Sequence, residues 1–215
     1  MTGAVVFDMD GVLISSEEVW DEVREGLARE RGGRWSERAH RDMMGMSTPE
    51  WTGYMHREVG LAMSPAAIEA EVVERLVARY RQRPPFIPGA REAVLAMAAR
   101  LPLGLASSSS RALIDAVLDQ GGLAGAFAAT VSSEEVARGK PSPDVYLRAL
   151  ELLGVEAAIA VAVEDSGAGI RAAAAAGMRV VAIPNALYPP SPEALALADP
   201  VLASIRELTP AAVGA

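Results

Sequence analysis

The sequence predicts an α/β protein whose parallel β-sheet is covered by helices on both faces. From residue 90 onward, helical patterns alternate with short, almost continuously apolar segments, which are typical of doubly covered parallel strands. A similar apolar segment, Val5–Phe7, opens the chain. No alternating strand pattern occurs between residues 15 and 85, so we interpret this region as an all-helical insertion after the first strand.

The insertion is predicted from apolar stripes and helix-start signals. A helix over residues 16–31 is indicated by apolar side chains on one face, with Ser15 or Ser16 as a candidate cap. Two Ser/Thr-Pro pairs, at Thr48 and Ser64, indicate further helix starts. The last helix has apolar residues at i, i+4 spacing: Ile68, Val72, Leu76 and Tyr80.

The elements of the sheet follow in regular alternation after the Pro-rich segment 83–89. The predicted strands are Leu103–Ala106, Ala128–Ser132, Ile159–Val163 and Val180–Ile183. The predicted helices are Ala90–Arg100, Ala112–Gln120, one capped by Ser142–Pro143 and running to Leu153, and Ile170–Ala176. We therefore expect an α/β domain of residues 1–14 and 86–215, and a helical domain of residues 15–85.

The composition restricts the classes of partner. The 215 residues carry a net charge of -8 and contain no basic run, which argues against binding to nucleic acid or to an anionic membrane. Cysteine is absent, and no apolar stretch approaches the ~20 residues of a membrane-spanning helix. We find no secretory signal and expect a cytoplasmic protein that is a monomer or weak dimer.

Two carboxylates follow the first strand. Asp8 and Asp10 are separated by one residue, so in an extended chain their side chains face the same way. Two like charges that close are costly unless a divalent metal lies between them or one carboxyl group is protonated. This pair therefore predicts either a metal site or a shared proton.

Other polar side chains stand at the ends of later predicted strands. Ser107 begins a run of serines after one strand, and Glu164 and Asp165 end another. The single lysine of the chain, Lys140, precedes a helix. Because ligands of open α/β sheets bind at the carboxyl ends of the strands, we expect these groups to meet there. Carboxylates suit Mg²⁺, while hydroxyl and ammonium groups suit phosphate. Taken singly, these motifs also fit a turn, a helix cap and a solvated loop.

In combination, four motifs resemble those of the haloacid dehalogenase-like (HAD) hydrolases. They are FDMDGVL at 7–13, ASSS at 106–109, KPSPD at 140–144 and EDSGAGI at 164–170. The motifs occur in the same order as in that family, and together they span the chain. The resemblance implies a Rossmann-like core with an inserted all-helical cap domain, as in the subgroup of phosphoglycolate phosphatase and β-phosphoglucomutase.

The resemblance also implies a role for each motif residue. Asp8 would be the nucleophile that forms an aspartyl-phosphate, and Asp10 the general acid and base. Mg²⁺ would be held by Asp8, the Asp10 carbonyl and Asp165, with Glu164 nearby. The transferring phosphoryl group would be bound by a further set of donors: Ser107, Ser108, Lys140 and the backbone amides of Met9 and Asp10. Lys140 would also pair with Asp8.

Within the family, several activities need to be compared. Dehalogenases lack an acid at the second motif position, so Asp10 favours phosphoryl transfer. The mutase subgroup carries a His and an Arg where this chain has Trp20 and Thr48, and Met46, Ser47 and Pro49 supply no Arg. Hydrolysis of a small phosphomonoester, such as a sugar phosphate or phosphoglycolate, is therefore the favoured activity, with a β-phosphoglucomutase-like activity as the alternative.

Two further interpretations stay open. Candidate substrate contacts in the insertion are Glu17, Trp20, Arg24, His40, Arg41, Met43, Met44, Met46 and Trp51, although Trp and Met are more often core residues and Arg is usually solvated. The segment 167–172 also matches G-x-G-x-x-A, the dinucleotide-binding fingerprint. Against a nucleotide-binding module, Glu164 and Asp165 precede these glycines and would repel a pyrophosphate.

Overall fold

The computed structural model describes residues 2–43, 46, 48–186 and 188–214. The chain divides into two compact units. One contains the residues up to Ser15 and those from Arg83 onward, and the other contains Ser16–Gln82. The role of the second unit as a cap domain stays a prediction.

The first unit is built on a five-stranded sheet in which every strand pair is parallel. Its strands are β1 (Ala4–Phe7), β2 (Leu103–Ser107), β3 (Ala129–Ser132), β4 (Ala160–Glu164) and β5 (Arg179–Ala182). Their order, β3-β2-β1-β4-β5, confirms the predicted parallel α/β architecture and places β1 at the centre. Strand order reverses direction at β1, and ligands of such sheets bind at this switch point.

The second unit contains four helices among its described residues. They are α1 (Glu17–Glu30), α2 (Glu37–Asp42), α3 (Thr48–Arg57) and α4 (Pro65–Gln82). The predicted stripe on α4 is fully buried from Ile68 to Tyr80. Ser64 Oγ accepts a hydrogen bond from the backbone N–H of Ala67 at 3.2 Å and so caps α4. Of the two predicted candidates, Ser16 occupies the N-cap position of α1, but its backbone is helical and its side chain makes no capping hydrogen bond.

Helices flank the sheet of the first unit. They are α5 (Ala90–Ala98), α6 (Arg111–Gly121), α7 (Asp144–Leu153), α8 (Gly167–Ala175) and α9 (Pro192–Leu195). Short 3-10 turns lie at Ala124–Ala126, Ser133–Glu135, Ala157–Ile159 and Ile205–Glu207. The predicted cap of α7 was wrong in detail. The Ser142 hydroxyl bonds to the Asp144 carboxylate at 2.6 Å, and no side chain caps that helix.

The core of the first unit lies on both faces of the sheet. On one face, Val6 of β1 joins a buried cluster with residues of α7 and α8, including Tyr146 and Ala173. Strand alternation directs Phe7 to the opposite face, where its ring meets Phe127 edge-on at 6.1 Å. Burial on both faces explains why the strands are almost continuously apolar.

None of the helices among the described residues combines the length and the apolar character that a bilayer-spanning segment requires.

Candidate active site

The end of β1 delivers two carboxylates into a tight turn. Asp8 continues the strand pairing, since its N–H donates to the Val163 carbonyl at 2.9 Å, and its side chain is buried. Gly11 then adopts φ +77°. A Cβ at Gly11 would lie 1.9 Å from Asp165 Oδ2. Glycine is therefore needed for the positive φ and for the close approach of this turn to the end of β4.

Lys140 lies between the carboxylates that follow β1 and β4. Its Nζ is 2.8 Å from Asp8 Oδ1 and 2.6 Å from Glu164 Oε1. The lysine side chain is only 5% exposed, and its Nζ lies 5.1 Å from the centre of the Tyr146 ring. The single lysine of the chain is thus a buried cation shared by two carboxylates, and the pair with Asp8 is the one the resemblance implied.

Glu164 is fully buried and heavily hydrogen-bonded. Its Oε1 accepts from Lys140 and from the Tyr146 hydroxyl, each at 2.6 Å. Its Oε2 accepts from the N–H groups of Asp165 and Ser166 at 3.2 and 3.3 Å, and from the Ser166 hydroxyl at 3.2 Å. A carboxylate oxygen has about two lone-pair directions. The described donors therefore already occupy the acceptor capacity of Glu164.

Three buried carboxylates lie close together at the ends of β1 and β4, and their combined negative charge favours a divalent cation. One oxygen each from Asp8, Glu164 and Asp165 lies within 4.8 Å of the others. Burial, followed by repulsion from Glu164 and Asp10, raises the pKa of Asp8 to about 7 even though Lys140 is adjacent. Lys140 alone thus does not compensate the negative charge. An all-oxygen donor set with excess negative charge suits a hard cation such as Mg²⁺. The Asp10 side chain is not one of the three.

Asp10 instead faces the serines that follow β2. The Ser109 hydroxyl donates to Asp10 Oδ2 at 2.7 Å, and Ser107 Oγ lies at the limiting distance of 3.5 Å from the same oxygen. Ser107 is fully buried, whereas Ser108 is exposed and its carbonyl accepts from the Ser133 hydroxyl at 2.9 Å. The predicted Ser107 therefore lies beside the proposed acid, and the predicted Ser108 lies at the surface.

Met9 is predicted to act through its backbone. Its side chain is fully buried in the core. Its carbonyl accepts hydrogen bonds from the N–H groups of Leu13 and Ile14, at 2.8 and 3.1 Å. The backbone N–H is therefore the donor that Met9 can offer to a substrate.

Two residues of this region were not among the predicted site residues. Ser109 is part of the ASSS motif at 106–109, but no role was assigned to it. Its spacing of two residues from Ser107 was the only sequence feature that indicated a place in the site. Tyr146 lies in the predicted helix that runs to Leu153 and was given no role. A buried aromatic side chain with a polar tip usually finds a hydrogen-bond partner, and this rule was the signal that could have identified it.

The helical unit has its own cluster of candidate contact residues. The Trp20 and Trp51 rings meet edge-on at 5.9 Å. The Arg24 guanidinium lies 4.7 and 4.8 Å from the centres of these two rings. Arg24 is therefore packed rather than solvated. Met44 and Ser47 lie outside the described residues.

Comparison with known proteins identifies the family. The family model described as haloacid dehalogenase-like hydrolase matches residues 2–177. Hexitol phosphatase B of Escherichia coli is 36% identical over 214 residues, which cover 96% of this chain and 94% of that protein. A phosphorylated carbohydrates phosphatase of Thermotoga maritima is 32% identical over 176 residues, covering 81% and 82%.

A solved structure supports the same assignment. CbbY from Rhodobacter sphaeroides, solved in complex with phosphate, superposes with a TM-score of 0.87 and 29% identity over 99% of both chains. The match to the family model covers most of the sequence, including all four motifs. The chain therefore belongs to the haloacid dehalogenase-like hydrolases.

Proposed function

We propose that the protein is a Mg²⁺-dependent phosphatase that hydrolyses a small phosphomonoester through an aspartyl-phosphate on Asp8. The observation that carries this proposal is the buried Lys140 bridging Asp8 and Glu164 next to Asp165. This arrangement supplies a carboxylate nucleophile, a fixed cation and oxygen ligands at one edge of the sheet. Phosphatase chemistry of this family is further supported by the relatives, which are named hexitol phosphatase and phosphorylated carbohydrates phosphatase.

In the proposed first step, an Asp8 oxygen attacks phosphorus. As the new O–P bond forms, the P–O bond to the leaving group breaks, and its electron pair goes to the leaving oxygen. Asp10 donates a proton to that oxygen. In the second step, Asp10 takes a proton from water, which attacks phosphorus and releases inorganic phosphate and the Asp8 carboxylate.

The surrounding groups favour this reaction by position and charge. Burial lowers the pKa of Lys140, but attraction to Asp8 and Glu164 outweighs it, so that the pKa lies above its usual range. Lys140 therefore stays cationic and, with Ser107, can bind the phosphoryl oxygens. Asp8, the Asp10 carbonyl and Asp165 would hold Mg²⁺, with Glu164 adjoining. When bound, the ion supplies the positive charge that lets an anionic nucleophile approach an anionic phosphate.

The steric requirement for glycine at position 169 argues against the nucleotide-binding alternative. A Cβ at Gly169 would lie 1.8 Å from Glu164 Oε1. Gly169 thus makes room for a buried carboxylate, which would repel a pyrophosphate. Gly169, the second glycine of the pattern that resembled a dinucleotide fingerprint, is therefore explained by the packing of Glu164.

For the substrate, we propose a phosphorylated sugar or sugar alcohol. The names of the two relatives support this class, and phosphoglycolate is the second candidate. The mutase alternative is disfavoured by Trp20, which stands where that subgroup carries His and is packed against Trp51 and Arg24. The predictions that the protein is cytoplasmic and a monomer or weak dimer stay predictions.

The proposal is tested by a phosphatase screen with sugar phosphates, hexitol phosphates and phosphoglycolate. The assay compares wild type, Asp8→Asn and the exposed control Asp119→Asn, each with and without Mg²⁺. We expect metal-dependent phosphate release by wild type and the control, and its loss in Asp8→Asn. Activity that survives Asp8→Asn would overturn the mechanism. Isomerisation of glucose 1-phosphate after priming with a bisphosphate would favour the mutase.

A further inference from the structure

The two oxygens of the Asp10 carboxyl group have different surroundings. Oδ2 accepts the 2.7 Å hydrogen bond from the Ser109 hydroxyl. Oδ1 is buried, and no hydrogen-bond donor among the described residues reaches it. A buried carboxylate oxygen without a partner is costly, so such an atom in a native site calls for a specific explanation.

Ser109 is itself fixed by two buried serines at strand ends. Its N–H donates to Ser107 Oγ at 3.0 Å, and its carbonyl accepts from the Ser132 hydroxyl at 2.7 Å. Ser107 ends β2, Ser132 ends β3, and both are fully buried. The position of the Ser109 hydroxyl is therefore set by the sheet rather than by a mobile loop.

We propose that Ser109 is a positioning residue that holds Asp10 Oδ2 and thereby presents Oδ1 to the oxygen of the leaving group. Because the Ser109 hydroxyl donates to Oδ2, Oδ1 is the carboxyl oxygen without a hydrogen-bond partner among the described residues. Oδ1 is therefore the oxygen that would exchange a proton with the leaving group and with water. This inference rests on the proposed role of Asp10 as general acid and base.

The inference predicts a dependence on the leaving group. An alkyl or sugar alkoxide needs a proton as it departs, whereas p-nitrophenolate departs without one at neutral pH. General acid catalysis typically contributes about 10²–10⁴-fold, and it requires hydrogen-bond geometry. We expect Ser109→Ala to lower kcat/KM for sugar phosphates about tenfold or more, equivalent to about 1.4 kcal/mol. For p-nitrophenyl phosphate we expect a loss of less than about twofold.

The experiment measures kcat/KM for both substrate classes with Mg²⁺ present. The variants are Ser109→Ala, Asp10→Asn as the reference for loss of the acid, and Ser133→Ala as a serine control. The Ser133 hydroxyl is exposed and bonds only to the Ser108 carbonyl among the contacts described for it. Activity toward p-nitrophenyl phosphate also shows that each variant retains a folded site.

The outcomes separate this inference from the proposed function. A selective loss for sugar phosphates in Ser109→Ala, parallel to that in Asp10→Asn, supports the inference. An equal loss for both substrates shows a merely structural role and overturns it, as does no loss for either. If Asp10→Asn itself shows no dependence on the leaving group, the proposed role of Asp10 fails, and the inference fails with it.

Discussion

Replacing Lys140 by Met is expected to destabilise the metal-free protein strongly. The substitution keeps a side chain of similar length but removes a cation that lies 2.8 Å from Asp8 and 2.6 Å from Glu164. The lysine side chain is 5% exposed, and those of the two carboxylates are 9% and 0% exposed. Removing one member of a buried ion pair typically costs about 3–5 kcal/mol, because the partner charge remains buried and uncompensated. We therefore expect the free energy of unfolding to fall by about 3–5 kcal/mol.

The loss should depend on pH and on metal. Without Lys140 the pKa of Asp8 rises further, so the native state must take up a proton, and this uptake is easier at lower pH. The destabilisation should therefore be smaller near about pH 5.5 than near about pH 7.5. Saturating Mg²⁺ should also reduce it, since the ion supplies the missing positive charge.

Urea unfolding with a chelator present measures this effect. The control is Arg138→Met. Arg138 lies two residues before Lys140 in the chain, is exposed and pairs with Asp144. Exposed pairs contribute little, so the control should unfold near the wild-type midpoint. A loss for Lys140→Met below about 1 kcal/mol, or a loss equal at both pH values, would refute the reasoning.

Three further predictions concern the same cluster. Because burial raises the pKa of Asp8 to about 7, Mg²⁺ binding should displace a proton from Asp8 at low pH. We expect release of close to one proton near about pH 6 and of almost none near about pH 8.5, measured by calorimetry in two buffers. Equal proton release at both pH values would contradict this. Tyr146→Phe removes the 2.6 Å donor to Glu164 and should lower the free energy of unfolding by about 1.5–3 kcal/mol, and a denaturation midpoint at the wild-type value would exclude that contribution. Gly169→Ala places a Cβ against Glu164 and should lower the free energy of unfolding by about 1–3 kcal/mol. The control Gly26→Ala lies in open space on a helix and should raise the free energy of unfolding by up to about 1 kcal/mol. Equal effects of the two substitutions would refute the steric argument.

The sequence was sufficient for the parallel sheet because each strand carries its own signal. A strand buried on both faces is apolar at nearly every position, and this composition is visible without any tertiary information. Strand ends are harder to place. Glu164 is the last residue of β4, although its charge suggested the following loop. Its partners are distant in sequence, so its compatibility with a buried strand could not be judged locally.

The site was predictable where residue type alone restricts the chemistry. Asp8, Asp10 and the single Lys140 are groups whose charges need partners, and the structure brings Lys140 to Asp8. For Ser109 and Tyr146, spacing and residue type indicate only that a polar partner exists and not which one, because serine and tyrosine have many roles. Which carboxylate each one contacts depends on how β2 and α7 pack beside the neighbouring strands.

Trapping the phosphoenzyme is the most direct test of the central claim. Wild type turning over p-nitrophenyl phosphate with Mg²⁺ is quenched with acid and reduced with borohydride, which converts an aspartyl-phosphate to homoserine. Peptide mass spectrometry should find homoserine at position 8 in wild type and in Asp119→Asn, and none in Asp8→Asn. Sustained turnover by wild type without modification at Asp8, or with the modification at another carboxylate, would contradict the account.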